Sequence, residues 1–147
     1  MQKNEIFLDL QAKDKEEALD KIVHKLKEQH VVKDGYDTAL LAREKEYPTG
    51  LKVENYGVAI PHTEADLVNQ SEISFTRLTK PVVFHQMGDN QEVKVNFIFI
   101  LSLTDANDHL KKLQNLMNIF QDNEKLHKLY EEQSADDISI LLTKWGL

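Results

Sequence analysis

Apolar and polar positions follow two different spacings along the first part of the chain. The run EIFLDL at residues 5–10 predicts a short strand. Helical spacing follows in the charged stretch DKEEALDKIVHKLKEQ, whose apolar positions are Leu19, Ile22, Val23 and Leu26. The segment YDTALLAREKEY at 36–47 predicts a second helix, which must end near Pro48 because the residue before a proline disfavours helical backbone.

Strand-like runs dominate the middle of the chain. They are GVAI at 57–60, EISFTRL at 72–78, PVVF at 81–84 and VKVNFIFILSL at 93–103, and MGDNQE supplies the turn before the last of them. The last run alternates at first and becomes apolar on both faces from Phe97 to Leu101. This pattern predicts a central strand that is covered by helices on both sides.

Helical spacing returns after Asp105 and predicts three further helices. Their apolar positions are Leu110, Leu113, Met117 and Phe120, then Leu126 and Tyr130, then Ile138, Leu141, Leu142 and Trp145. Strands that lie between helices in this irregular order predict an α/β sandwich, with a mixed central sheet covered by helices on both faces. Because no flexible linker or repeat interrupts the 147 residues, we expect one domain over 1–147.

The composition of the chain argues against several classes of function. The net charge is −7 and the basic residues form no block, which disfavours binding to nucleic acid or to anionic membrane surfaces. Cysteine is absent, so disulfides, thiolate nucleophiles and sulfur-ligated metals are excluded. No window approaches the roughly 20 apolar residues of a membrane span, and we expect a soluble cytoplasmic protein.

Arg43 is one of only two arginines, and it falls within the apolar stripe of the second predicted helix. The stripe consists of Tyr36, Ala39, Leu40 and Tyr47. Since an arginine stays charged, an inward guanidinium requires a carboxylate or a phosphoryl group as its partner. Two alternatives remain open: an ion pair with Glu44 or Glu64, and a side chain whose charged end reaches the protein surface.

Two histidines stand at positions that suit chemistry. His62 follows the strand candidate GVAI and Pro61, so a restrained backbone presents it at a strand end. His109 lies in the first turn of the helix that Asp105 can cap, with Asp108 reaching back as in a capping box. The positive end of that helix favours a neutral ring and suits an anion, although a simple helix-edge histidine over Leu113 is equally compatible.

These residues together indicate phosphoryl transfer. The free nitrogen of a neutral imidazole can accept a phosphoryl group and pass it on, and His62 and His109 are the two candidates for this role. The transferring group carries up to about two negative charges, which Arg43 would balance.

The segments AREKEYPTGL at 42–51 and YGVAIPH at 56–62 resemble the IIA components of the fructose and mannitol superfamily in the bacterial phosphoenolpyruvate-dependent sugar phosphotransferase system. The resemblance implies that His62 is phosphorylated, that Arg43, Glu44 and Thr49 support it, and that His109 matches a histidine of mannitol-type members. Pro48-Thr49-Gly50 and Glu64-Ala65 are most similar to the galactitol-specific branch. Many relatives have glycine where this chain has Thr63, whose hydroxyl can instead donate a hydrogen bond.

The resemblance also implies a relay of proteins and no cofactor other than the covalent phosphohistidine. Phospho-HPr donates to His62, and a IIB component accepts the group for uptake of a sugar, which we expect to be galactitol or a related hexitol. Association with a membrane IIC component would be indirect, through IIB.

Two other functions are compatible with the sequence. A regulatory protein could use the same phosphohistidine to control a kinase, a transporter or a transcription factor. A metal-binding protein could use His62, Glu64 and His109, whose His-x-Glu and distant histidine match the ligand pattern of the iron facial triad.

Overall fold

The computed structural model describes residues 5–147, except for the side chains of Ala106 and Asp108. Its strands are β1 (Ile6–Leu10), β2 (Gly50–Val53), β3 (Tyr56–Ala59), β4 (Glu72–His85) and β5 (Glu92–Ser102). Its helices are α1 (Lys15–Glu28), α2 (Tyr36–Glu46), α3 (Ala106–Phe120), α4 (Asn123–Glu131) and α5 (Ala135–Lys144), and a short 3₁₀ turn covers Ala65–Leu67. All five predicted helices are confirmed.

The strands form one mixed sheet in the order β1-β4-β5-β3-β2. β4 and β5 are antiparallel, as are β2 and β3, whereas β1 runs parallel to β4 and β3 runs parallel to β5. The parallel pairing of β3 with β5 brings the carboxyl ends of both strands to the same edge of the sheet. That edge is where the candidate site forms.

The two faces of β5 pack against different sets of helices. Phe97, Phe99 and Leu101 lie in a core with α3, α4 and α5. Ile98 and Ile100, which point the other way, lie in a second core with α1 and α2. All five side chains are almost completely buried. The predicted sandwich with helices on both faces is therefore confirmed.

The strands differ from the predictions in two places. EISFTRL and PVVF are not separate strands but parts of the single strand β4, whose pairing with β5 shifts register between Arg77 and Val82. Pro81 lies in this bulge, where its missing N–H removes no regular ladder hydrogen bond. The second difference is β2, which the sequence did not predict because its four residues include Gly50 and a lysine and lack a clear alternation.

The second arginine of the chain has a structural role. The Arg77 side chain is buried, and one of its terminal nitrogens donates to the carbonyls of Leu129, Tyr130 and Glu132. Its other terminal nitrogen lies 3.4 Å from a carboxylate oxygen of Asp9. Arg77 therefore binds the negative, carbonyl end of α4 to the sheet.

The helices can be compared with what a membrane-spanning helix requires. Within residues 5–147, none of the helices combines the length and the apolar character needed to cross a bilayer.

Candidate active site

His62 lies at the carboxyl edge of the sheet because the pairing of β3 with β5 continues past the end of β3. Val58 faces Phe97 and Ala59 faces Ile98 in the regular ladder, and His62 then pairs with Leu101. The Leu101 N–H donates to the carbonyl of Pro61 at 3.2 Å. Shortly after Leu101 the chain enters α3, which brings His109 to the same edge.

The rings of His62 and His109 are in contact. Their centroids are 5.3 Å apart with an interplanar angle of 72°, an edge-to-face arrangement, and both side chains are half-buried. The structure thus brings together two histidines that are 47 positions apart in the sequence (109 − 62).

A backbone carbonyl determines the tautomer of His62. Nδ1 of the ring lies 2.9 Å from the carbonyl oxygen of Ile60. Since a carbonyl only accepts hydrogen bonds, Nδ1 must carry the proton and donate it. In the neutral ring the lone pair is then on Nε2. Nε2 is therefore the nitrogen that can act as a nucleophile.

The expectation that His109 is neutral agrees with the structure, but its main cause differs. Burial lowers the pKa of His109, and the neighbouring His62 lowers it further. Asp105 caps α3 by accepting from the N–H of Asn107 at 2.7 Å. The expected contribution of Asp108 lies outside the described side chains.

Glu44 and Thr49 form a chain of hydrogen bonds that reaches Ile60. The two oxygens of Glu44 accept from the Thr49 N–H (2.8 Å) and from the Thr49 hydroxyl (2.7 Å). The Ile60 N–H in turn donates to the Thr49 hydroxyl oxygen at 3.2 Å. The hydroxyl proton of Thr49 is therefore committed to Glu44. We call this hydrogen-bonded group of Glu44, Thr49 and Ile60 the clamp.

The buried carboxylate of the clamp is electrostatically costly. Glu44 is 2% exposed, and burial raises its pKa. The two hydrogen bonds from Thr49, and the positive charge of Lys15, act in the opposite direction. The clamp thus depends on hydrogen bonds to hold a charged group inside the protein.

The prediction that Arg43 lies in the middle of the buried stripe of α2 was wrong. The buried stripe of α2 consists of Tyr36, Leu40 and Glu44 at a spacing of four residues, and Tyr47 is 56% exposed. Arg43 lies at the margin of this stripe and is half-buried, because one position along a helix rotates a side chain by about 100°.

The guanidinium of Arg43 stacks on an aromatic ring. Its Cζ atom lies 4.8 Å from the centroid of Tyr47. Among the described residues, no acceptor pairs with the buried Nε of Arg43, and no ion pair joins Arg43 to Glu44 or Glu64. The predicted ion pair with Glu44 or Glu64 therefore has no support among the described residues.

Thr63 and Glu64 follow His62 without joining the clamp. Thr63 is half-buried and lines an open depression of about 500 Å³ with His109 and Leu110. Glu64 is exposed. Within the part of the chain that is described, no group of three or more His, Asp or Glu side chains could hold a metal ion, so the arrangement that the metal alternative needs is absent there.

Two contacts at this edge were missed at the level of sequence. The hydroxyl of Tyr36 lies 3.2 Å from that of Ser102 and ties the start of α2 to the end of β5. Burial raises the pKa of Tyr36 to about 12, against a smaller lowering by this hydrogen bond. The stacking of Tyr47 on Arg43 was also missed, since four-residue spacing alone does not distinguish a stacked ring from a core residue.

The chain is similar to known proteins in both sequence and fold. A family model described as phosphoenolpyruvate-dependent sugar phosphotransferase system, EIIA 2, matches residues 1–145. The galactitol-specific EIIA component of Escherichia coli K12 is 36% identical over 108 residues, which cover 74% of this chain and 72% of that protein. A nitrogen regulatory protein of Bradyrhizobium diazoefficiens is 33% identical over 103 residues, 70% of this chain and 65% of that protein.

Among solved structures, the chain is similar to one in the complex of enzyme IIAMTL and phosphorylated enzyme IIBMTL from Escherichia coli. The TM-score is 0.81 at 26% identity, and the match covers 98% of this chain and 97% of that one. The sequence resemblance to the superfamily is thus confirmed. The chain belongs to the EIIA 2 family of the phosphoenolpyruvate-dependent sugar phosphotransferase system, and it is a phosphotransferase of the kind that works through a phosphohistidine.

Proposed function

We propose that the protein is a phosphocarrier that accepts a phosphoryl group from phospho-HPr on Nε2 of His62 and passes it to a IIB component. One observation carries the proposal: His62 donates through Nδ1 to the Ile60 carbonyl, which leaves a lone pair on Nε2 at a half-buried position. A cytoplasmic location, where HPr and the IIB component would meet it, is part of this proposal.

The chemistry requires no group beyond the two proteins. The lone pair of Nε2 forms a bond to phosphorus as the bond from phosphorus to the donor breaks, and the donor keeps that electron pair. Transfer to IIB reverses these roles. The Nδ1 proton remains on the ring in the phosphorylated state, where the Ile60 carbonyl continues to accept it.

Arg43 supplies positive charge for the transferring group. Its buried Nε has no acceptor in the described structure, and Glu44, its neighbour in α2, is joined through the clamp to the strand end that holds His62. An opposite-charge pair at about 4 Å with an effective dielectric near 20 contributes about 4 kcal/mol. A neutral His109 adds no competing positive charge and leaves a ring nitrogen for hydrogen bonding.

Labelling tests the phosphoryl acceptor. We expect incubation with radiolabelled phosphoenolpyruvate, enzyme I and HPr to add one acid-labile, base-stable phosphoryl group. The variant His62→Ala should take up no label. His24→Ala is the matched control, because His24 is an exposed residue of α1 that pairs with Glu28, and it should be labelled like the unchanged protein. Labelled His62→Ala would refute the assignment.

The sugar is the finer part of the proposal. The galactitol-specific relative and the segments around Thr49 and Glu64 support galactitol or a related hexitol. The test offers the phosphorylated protein purified galactitol-type, mannitol-type and fructose-type IIB components and compares the rate at which the label moves to each. Fastest transfer to the galactitol-type IIB supports the assignment, and faster transfer to another IIB would replace it.

A regulatory role is the second candidate, because a nitrogen regulatory protein is also a relative. The two functions differ in what happens to the phosphoryl group. A transport component loses its label to IIB, whereas a regulatory protein keeps it and changes its affinity for a target. Transfer of label to a galactitol-type or mannitol-type IIB would favour transport, and retention of label with each IIB would favour regulation.

A further inference from the structure

We infer that Tyr47 is a positioning residue for phosphoryl transfer, which acts by holding the guanidinium of Arg43 in one orientation. This inference rests on the proposed function, since it assigns Arg43 to the transferring phosphoryl group. It concerns a residue that has no other evident use: an exposed tyrosine at the end of α2.

The backbone fixes the position of Tyr47. The residue forms the carboxyl-terminal cap of α2, with φ −128° and ψ 82°, and its N–H donates to the Arg43 carbonyl at 2.7 Å. Pro48 follows and confines Tyr47 to extended backbone. The four-residue step from Arg43 to Tyr47 then places both side chains on one side of the helix end.

The ring is the contact that can orient the guanidinium. Cζ of Arg43 lies 4.8 Å from the ring centroid, within the range of a cation–π interaction. In residues 5–147 no acceptor pairs with the buried Nε, so no hydrogen bond from Nε competes with the ring in setting the plane of the group. Stacking uses the face of the guanidinium and leaves its N–H edge available for phosphoryl oxygens.

Because Tyr47 is exposed, its removal should affect the orientation of Arg43 without affecting the stability of the fold. Tyr47 is 56% exposed, so its truncation removes little buried surface and should leave the fold intact. Without the ring, the guanidinium of Arg43 loses its preorganised orientation, and this orientation matters most in the transition state. We expect Tyr47→Ala to lower kcat for transfer from phospho-HPr about two- to fivefold, with KM for HPr unchanged.

The conservative variants test the role of the ring. Tyr47→Phe keeps the aromatic face and should transfer at the original rate, whereas Tyr47→Leu keeps only apolar bulk and should resemble Tyr47→Ala. Tyr130→Ala is the matched control: this tyrosine is 51% exposed and stacks on Tyr56, at the opposite end of β3 from His62. We expect it to have no effect on transfer.

A double-mutant cycle tests whether Tyr47 acts through Arg43. In the Arg43→Ala background, Tyr47→Ala should cause no further loss of rate. An equal loss in both backgrounds, a rise in KM for HPr alone, or an unchanged rate in Tyr47→Ala would each overturn the inference. These outcomes are distinct from failure of the proposed function, which would appear as labelling of His62→Ala.

Discussion

Removing the hydroxyl of Thr49 is the most direct test of the clamp, because this hydroxyl takes part in two of its hydrogen bonds. In Thr49→Val the side chain keeps its shape and loses the hydroxyl. The Ile60 N–H then has no acceptor in place of the 3.2 Å hydrogen bond, and Glu44 loses the 2.7 Å bond to one oxygen. The Thr49 N–H remains as the donor to the other carboxylate oxygen.

The expected loss of stability follows from these two unpaired groups. A buried polar group without its partner costs about 1–3 kcal/mol, and a charged group costs more. Both groups are shielded from water, since Ile60 and Glu44 are each 2% exposed. We therefore expect the free energy of unfolding to fall by about 2–5 kcal/mol in Thr49→Val.

Thr49→Ser provides the control for this change. It keeps the hydroxyl and both of its hydrogen bonds and removes one buried methyl group, at a cost of about 1 kcal/mol. Urea unfolding followed by circular dichroism measures both variants. If Thr49→Val and Thr49→Ser differ by less than about 0.5 kcal/mol, the clamp does not carry the energy assigned to it.

The clamp also connects stability to transfer. The carbonyl of Ile60 accepts a hydrogen bond from Nδ1 of His62, and the N–H of Ile60 donates one to the Thr49 hydroxyl. A loosened Ile60 should therefore let the ring of His62 rotate. We expect transfer from phospho-HPr to be slower in Thr49→Val than in Thr49→Ser, and equal rates would show that the clamp serves stability alone.

Three further predictions concern other groups at the site. Arg43→Lys keeps the charge but loses the planar fork, so rapid-quench kinetics should show slower transfer with nearly unchanged unfolding, and unchanged kinetics would remove Arg43 from the mechanism. His109→Ala should slow labelling without abolishing it, whereas complete loss would exchange the roles of the two histidines. Glu44→Gln removes a carboxyl whose pKa burial raises. The folded protein therefore holds this proton more tightly than the unfolded chain, so its stability relative to Glu44→Gln should be greatest below the ordinary pKa and should fall as pH rises to the raised pKa; a difference that grows with pH would contradict this.

Periodicity predicted most of the fold. Four helices were identified from apolar residues at helical spacing, and α2 was bounded by Pro48. β5 was identified because its continuous apolar run from Phe97 to Leu101 serves two cores. The bulge at Pro81 could not be predicted, because the shift in register appears only in the pairing of β4 with β5. β2 was missed because its four residues are too few and too weakly patterned to predict a strand without its pairing to β3.

The sequence singled out candidate residues for the site, but it could not give their arrangement. His62 and His109 were identified separately, but only the parallel pairing of β3 with β5 brings their rings together. The position of Arg43 was predicted wrongly because apolar spacing gives no sign that a carboxylate, Glu44, occupies the last buried position of α2. The hydrogen bonds of Glu44 with Thr49 explain how that carboxylate is accommodated.

Identifying the histidine nitrogen that carries the phosphoryl group tests the central claim most directly. The protein, with ¹⁵N-labelled histidine, is phosphorylated through enzyme I and HPr, and ¹⁵N–³¹P couplings are measured by NMR. We predict one phosphoryl group on Nε2 of His62, with the proton on Nδ1 still donated to the Ile60 carbonyl. Phosphorus on Nδ1 of His62, or on His109 or another histidine, would contradict the account.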